Sequence, residues 1–319
     1  MLLLEIFSQP ILYTLAILVL TLVVLLTLAS HFGRYIYLEL TTHFRLQYFW
    51  TAVLCGVVFT AYQSWQFVLI ALACACLNLY YIWPYYRSKS KRASDCEFRL
   101  RVLHANVLKG NTNYAAIFEL INQVSPDLVF LQETGHAWRD QLEPLRKEYP
   151  FYEAELRPHG AGMIILSRKP FDSVEVLALD ESKHVAILAR VNLVQHSITV
   201  LGLHPTTPID PFKFRNRNLQ FREAASLLNK IDGHKMLIGD LNTTMWSPYF
   251  EQLTRDANLR DARLGFGLKT SWPMPLPSFL RMPIDHCLIS QELRVEAVEI
   301  SAHIGSDHRP LIVDIFAVR

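Results

Sequence analysis

The sequence predicts an α/β domain of two packed sheets flanked by helices, preceded by an N-terminal membrane region. Three observations carry that reading. Two long stretches near the N-terminus contain no Asp, Glu, Lys or Arg. Beyond residue 94, short apolar runs recur at strand length, with two helical segments between them. The whole chain is 51% hydrophobic with mean hydropathy +0.18, too apolar for an ordinary soluble enzyme.

The first uncharged stretch lies between Glu5 and Arg34 and holds residues 11–30. Twenty apolar residues are enough to cross about 30 Å of hydrocarbon as a helix. The stretch does not read as a signal peptide: the flank before it lacks Lys and Arg, carries Glu5, and a second apolar region follows. That second region, 46–86, is 41 residues. It is too long for one span and right for two joined by a tight reversal at Gln63-Ser64-Trp65-Gln66. Residues 1–86 are therefore expected to form a membrane region of about three transmembrane helices, roughly 10–30, 48–63 and 67–83. Aromatics at the predicted ends, Tyr48, Phe49 and Trp50, then Tyr80, Tyr81, Trp83, Tyr85 and Tyr86, suit interfacial belts. The competing reading is a buried helical hairpin.

With three spans, Arg34, Arg45, Arg87, Lys89, Lys91 and Arg92 all fall on one side, and the opposite side has no Lys or Arg. The positive-inside rule then places the C-terminal domain in the cytoplasm; a different span count would place it on the periplasmic side. Residues 87–93 form a short basic linker, readable as a stop-transfer flank or a contact for anionic headgroups. The five cysteines show no CxxC spacing, so neither a disulfide partner nor a structural zinc site is expected.

Residues 94–319 carry the domain. Strands are expected at 100–107, 128–132, 162–167, 185–192, 197–204, 236–239, 284–289 and 311–316. Helices are expected at 113–123 and 211–230; in the first, Ile117, Leu120, Ile121 and Val124 repeat at helical spacing. Several strands end or begin in residues that handle metal and phosphate. They are Asn106 in RVLHANV, Glu133 in LVFLQE, His204 in ITVLGLH, Asp240 and Asn242 in MLIGDLN, Asp285 in PIDHCLIS, and Asp307-His308 in GSDHRP.

That ordered series, from about Arg99 to the C-terminus, resembles the endonuclease/exonuclease/phosphatase superfamily. The chain looks most like bacterial members with a hydrophobic N-terminal region, including Ser271-Trp272-Pro273 before Ile284-Asp285-His286. The resemblance implies a four-layer α/β sandwich with its site at one end. It also implies a metal-dependent phosphoric-ester hydrolase using Mg²⁺ or Mn²⁺, in a multi-pass protein of the bacterial inner membrane.

Phosphodiester hydrolysis needs neutralised phosphate charge, an activated water and a protonated leaving group. Glu133, directly after an apolar run, offers hard oxygens suited to Mg²⁺ or Mn²⁺; alone it would read as a solvated strand cap. Asp240 and Asn242 face the same way if the backbone stays extended through Leu241, or else form an Asx-type turn. A carboxylate there can orient or deprotonate water, and the amide can donate to a phosphate oxygen. By resemblance, Asp285 orients His308, which acts as general base or as a cationic phosphate contact. Asp307 is implied as a metal or water ligand and Asn106 as a metal-site residue that positions Glu133. His204 is implied to contact phosphate or protonate the leaving oxygen.

Other residues attract less weight. Arg215 and Arg217 head a helix after the His204 loop; Arg215 could bind substrate phosphate, and a solvated face is the competing reading. His286 should face away from Asp285 and pack. His104, His136, His159, His184 and His234 have no ligand-like spacing. Trp272 is a platform or a packing residue. No GxSxG elbow supports serine hydrolysis.

The domain holds 25 Lys+Arg (31 less the six above) and 27 Asp+Glu (29 less Glu5 and Glu39). Non-specific DNA binding draws on a basic surface. A lipid or membrane-associated phosphoester is therefore the favoured substrate, with a membrane-tethered nuclease as the alternative. A catalytically inactive membrane scaffold is a further alternative, disfavoured because every residue of the series is present.

Overall fold

A computed structural model describes residues 2–87, 96–156, 162–179, 184–193 and 195–318, with side chains from Ile11 onward. The basic linker beyond Arg87 (Lys89, Lys91 and Arg92) and His159 lie outside the described residues. The chain forms two units, one of Met1–Tyr86 with Trp246–Pro248, the other of Arg87–Met245 with Tyr249–Arg319.

The first unit contains helices α1 (Leu2–Ala29), α2 (Ile36–Thr42), α3 (Arg45–Ala61) and α4 (Trp65–Ile82). Two segments are long and apolar enough to cross a membrane: Ile11–Phe32, of 22 residues, and Trp65–Tyr85, of 21. The expected span at 48–63 takes a different form. Helix α3 has 17 residues and reaches spanning length only together with α2, from which it is bent by 62°. The reversal before α4 falls where the polar patch lies, with Gln63 at φ 55°. Large apolar side chains point outward, Leu18, Leu54 and Leu69 each being more than 60% exposed. Small or polar groups face inward: Ala52 is fully buried, and Asn78 accepts from Arg45 (3.3 Å) while donating to Thr27 (3.0 Å). An apolar exterior around hydrogen bonds between helices is the arrangement that lipid, not water, favours.

The second unit is a sandwich of two six-stranded sheets. Its strands are β1 (Cys96–Asn106), β2 (Leu128–Thr134), β3 (Phe151–Glu155), β4 (Gly162–Ser167), β5 (Phe171–Ala178) and β6 (Val185–Asn192). They continue with β7 (Ser197–Leu203), β8 (His234–Asp240), β9 (Leu259–Asp261), β10 (Asp285–Ser290), β11 (Leu293–Ile300) and β12 (Leu311–Val318). One sheet has the order β11-β12-β1-β2-β4-β3 and the other β5-β6-β7-β8-β10-β9. Helices α5 (Tyr114–Val124), α6 (His136–Gln141), α7 (Pro211–Asn229) and α8 (Pro248–Asp256) complete the four-layer α/β sandwich. Asn113 and Asp210 cap α5 and α7 by accepting from Ala116 and Lys213.

Strand parity explains the layering. On β1 and β2, Leu100, Val102, Leu128 and Phe130 point between the sheets, where they meet Ile187, Val200, Met236 and Ile238. The alternate residues Leu103, Ala105, Val129 and Leu131 pack outward with Ile117, Leu120 and Ile121 of α5. Both faces are buried, so these strands read as continuous apolar runs.

Each sheet has one parallel pair, β1 with β2 and β7 with β8, each joined by a helix crossover. All other pairs are antiparallel. In a parallel pair both C-terminal ends emerge on the same edge. That placement delivers Asn106, Glu133, His204 and Asp240 from four strand ends.

Candidate active site

The antiparallel neighbours complete the cluster. Asp285, the first residue of β10, is in register with Asp240, the last of β8. Leu311, which opens β12, is in register with His104 of β1, so the preceding loop carries Asp307 and His308 to the same edge.

At the centre, Asp285 lies between two imidazoles. Its Oδ2 is 2.8 Å from His308 Nδ1, and its Oδ1 is 2.9 Å from His104 Nε2. The other ring nitrogen of His308, Nε2, is 3.5 Å from Asp240 Oδ2. His308 is also held by its backbone: its N–H donates to Ser306 Oγ (3.1 Å), whose hydroxyl donates to the Asn106 carbonyl (2.7 Å). Ser306 thus ties the His308 loop to the end of β1.

Burial decides the electrostatics. Burial alone disfavours an imidazolium, but Asp285 and Asp240 outweigh it and hold the His308 pKa up at about 10. Burial likewise works against an ionised Asp285, yet His308 and His104 keep that carboxyl well below the usual range. Burial raises Asp240, and the neighbouring Asp285 charge adds to it, only partly offset by His308 and His204. Two carboxylates therefore face one imidazole with opposite shifts, Asp285 held down and Asp240 pushed up.

Glu133 lies beside this group at a break in β-register between Gln132 and Thr134, with φ 61°. A bulge re-aims the side chain that an uninterrupted strand would place elsewhere, and a left-handed glutamate is a strained conformation of order 1–3 kcal/mol. Asn106 Nδ2 donates to Glu133 Oε1 (2.8 Å) and to Asp240 Oδ2 (3.2 Å), while Lys109 N–H donates to Glu133 Oε2 (3.1 Å). Asn106 Oδ1 accepts from Leu108 N–H, so the asparagine turns its nitrogen toward the carboxylates. In this arrangement it positions Glu133 rather than offering a metal its oxygen. The carboxylates of Glu133 and Asp307 are both half-buried, and hard oxygens of this kind suit Mg²⁺ or Mn²⁺.

Asp240 ends β8, and the backbone does not stay extended from there to Asn242. Asn242 has φ 50°, its N–H donates to Asp240 Oδ1 (2.9 Å), and its Nδ2 donates to the Pro205 carbonyl (3.0 Å). This is the Asx turn, and it holds the His204–Pro205 segment against the end of β8. His204 is half-buried and near enough to lower the Asp240 pKa. Arg215 is exposed on α7, and none of the hydrogen bonds described for the cluster involves it. Its neighbour Arg217 is fully buried over the rings of Phe214, Phe221 and Tyr249.

The sequence reading gave no site role to several residues that hold the cluster together. His104 is fully buried and braces Asp285. Gln132 bridges the sheets, donating to the Leu203 carbonyl (3.0 Å) and accepting from Asp240 N–H (2.9 Å). Gly239, φ 154°, leaves room for this bridge: a Cβ there would stand 2.0 Å from Leu203 O and 2.5 Å from Gln132 Nε2. Trp272 Nε1 donates to Asp307 Oδ2 (3.0 Å), and its ring centroid lies 6.4 Å from that of His308. A signal existed for His104 and Gln132, since both interrupt the inter-sheet parity of an apolar run. A polar side chain in such a place needs a partner. His286, by contrast, packs away from the site against Phe250 and bonds the Thr243 carbonyl (2.8 Å).

Comparison with known proteins identifies the family to which this fold belongs. Residues 103–308 match the model of the Endonuclease/Exonuclease/phosphatase family, whose enzymes are phosphoester hydrolases and generally depend on divalent metal. Curated proteins offer no significant sequence match. Among solved structures, an endonuclease/exonuclease/phosphatase from Beutenbergia cavernae aligns at TM-score 0.57 and 20% identity, over 69% of this chain and 72% of that one. One from Bacteroides vulgatus aligns at TM-score 0.58 and 17% identity, over 69% and 100%. D. rerio TDP2 complexed with a single-strand DNA product aligns at TM-score 0.59 and 15% identity, over 69% and 99%. At these identities the likeness concerns the fold. With the family model spanning Leu103 to His308, the chain belongs to the endonuclease/exonuclease/phosphatase family.

Proposed function

We propose that this chain is a membrane-anchored, Mg²⁺- or Mn²⁺-dependent phosphoesterase whose preferred substrate is a lipid or membrane-associated phosphoester. The observation that carries the catalytic part is the buried chain His104–Asp285–His308–Asp240 beside Glu133. Glu133 and Asp307 would hold the metal, which when bound supplies positive charge to the phosphate. Asp285 fixes the His308 ring through Nδ1 and leaves Nε2 facing the reaction space. With its pKa held up at about 10 by Asp285 and Asp240, His308 fits a cationic phosphate contact better than a base at neutral pH. Asp240, whose pKa burial raises, is then the group suited to orienting the attacking water and receiving its proton. Asn242 and His204 stand at the Asp240 turn as contacts for phosphate and leaving oxygen.

The lipid preference draws support from two segments that follow site residues in the chain. Ile209 and Phe212 follow His204, and Leu276 and Leu280 follow Trp272; all four are 40% or more exposed. Exposed apolar side chains in the segments that follow His204 and Trp272 suit acyl chains better than a polyanion, and the domain has no basic excess. The second reading, a nuclease, rests on the likeness to the DNA-bound TDP2 structure. The test is kcat/KM of the full-length protein in liposomes against phospholipid, DNA and RNA panels, in one buffer and metal. A lipid preference that Phe212→Ser and Leu280→Ser diminish, with a soluble diester unaffected, supports the reading; a preference for DNA or RNA overturns it.

A further inference from the structure

The strands that end in the site begin, at the opposite end of the sandwich, in another cluster of ligating groups. Glu97 near the start of β1, His196 just before β7 and His234 at the start of β8 bring one ligand atom each within 4.8 Å of one another. Glu97 Oε2 is 3.5 Å from His196 Nε2. His234 Nδ1 is buried with no hydrogen-bond partner. The three residues are 99 and 38 positions apart in sequence, so no spacing motif announces them.

Local structure aims all three at one place. The β1–β12 register shifts between Cys96 and Phe98, so Glu97 occupies a bulge, as Glu133 does at the other end. On β8, His234 shares parity with Met236 and Ile238, which point between the sheets, and it is in register with Ile198 of β7. Phe98 supports both rings, with centroids 6.0 Å from His196 and 5.2 Å from His234. Asp240 lies six positions along β8 from His234, about 20 Å at the usual strand rise, so this cluster is separate from the catalytic one.

We infer that Glu97, His196 and His234 form a second metal site, for Zn²⁺ or a similar imidazole-preferring divalent ion. Two histidines and one carboxylate are a zinc ligand set with a fourth position for water, whereas Mg²⁺ prefers oxygen alone. Tetrahedral ligand atoms at zinc distances stand roughly 3.3 Å apart, so a small side-chain rotation closes the set. Ligation through Nδ1 would give that buried nitrogen of His234 a partner. It also clamps β1 of one sheet to β7 and β8 of the other, adding stability because only the folded chain presents the three ligands together.

The experiment is zinc binding to the full-length protein by equilibrium dialysis with metal analysis, alongside thermal unfolding. Wild type should bind one equivalent more than the His196→Ala/His234→Ala variant, and Glu133→Gln should retain that equivalent. Glu97→Gln, a change at an exposed position, should weaken it by about tenfold or more. Zinc should raise the unfolding midpoint of wild type but not of the paired histidine variant, whose hydrolytic activity should be unchanged. Equal zinc uptake by wild type and the paired variant overturns the inference. If that variant does not fold, wild-type zinc affinity in Glu97→Gln overturns it instead.

Discussion

At the scale of single residues, the account turns on His308. Its folded pKa of about 10 stands above the ordinary value near 6.5. A raised imidazolium pKa stabilises the fold fully below about 6.5, and this contribution fades as pH rises toward about 10. In EDTA, the stability advantage of wild type over His308→Gln should therefore be largest near pH 6 and shrink steadily toward pH 10, as followed by denaturant unfolding. An advantage that grows with pH would mean that Asp285 and Asp240 do not hold a charged imidazole. Most of the residues around His308 were legible, because each ends or begins an apolar strand with a group suited to metal or phosphate. His104 was not, since it was judged by ligand spacing along the chain. Its partner Asp285 is 181 positions away and meets it only across the sandwich. Trp272 was weighed evenly between platform and packing, and its bond to Asp307 depends on a loop path that no periodicity encodes.

Elements explain both the successes and the misses. Eight expected strands correspond to β1, β2, β4, β6, β7, β8, β10 and β12, all interior to their sheets. The four that the pattern did not reveal, β3, β5, β9 and β11, are the four edges. An interior strand is buried on both faces and reads as an apolar run. An edge strand such as FDSVEVLA is mostly half-exposed or exposed and carries mixed polarity, or, like Leu259–Asp261, is simply short. The bulge at Glu133 was equally silent, because a register shift leaves no mark on composition. It does make a prediction. Glu133→Gly and Glu133→Ala both remove the carboxylate, but only glycine accepts φ 61° without strain. The glycine variant should be more stable by about 1 kcal/mol in metal-free urea unfolding, with both variants inactive; equal stabilities would show that the backbone relaxes when the carboxylate goes.

For the whole molecule, the apolar N-terminal helices and the α/β domain make one proposal together, a phosphoester hydrolase held at a bilayer. We propose a multi-pass arrangement in a bacterial inner membrane with the domain on the cytoplasmic side, because the six flanking cations share one side of a three-span chain. A reporter fused after Arg319 should then behave as cytoplasmic, and periplasmic alkaline phosphatase activity from the fusion would reverse the assignment. The middle span is the one whose form the hydropathy pattern did not reveal, since α3 reaches spanning length only by joining α2 across a 62° bend. The central claim is that the cluster at the strand ends performs metal-dependent phosphoester hydrolysis. Its most direct test is turnover of a soluble phosphodiester by the full-length protein, with Mg²⁺ or Mn²⁺, with EDTA, and in Asp240→Asn and His308→Ala. The account predicts activity that EDTA abolishes and that each variant lowers roughly 10²-fold or more while remaining folded. Full turnover in EDTA, or in either folded variant, would contradict it.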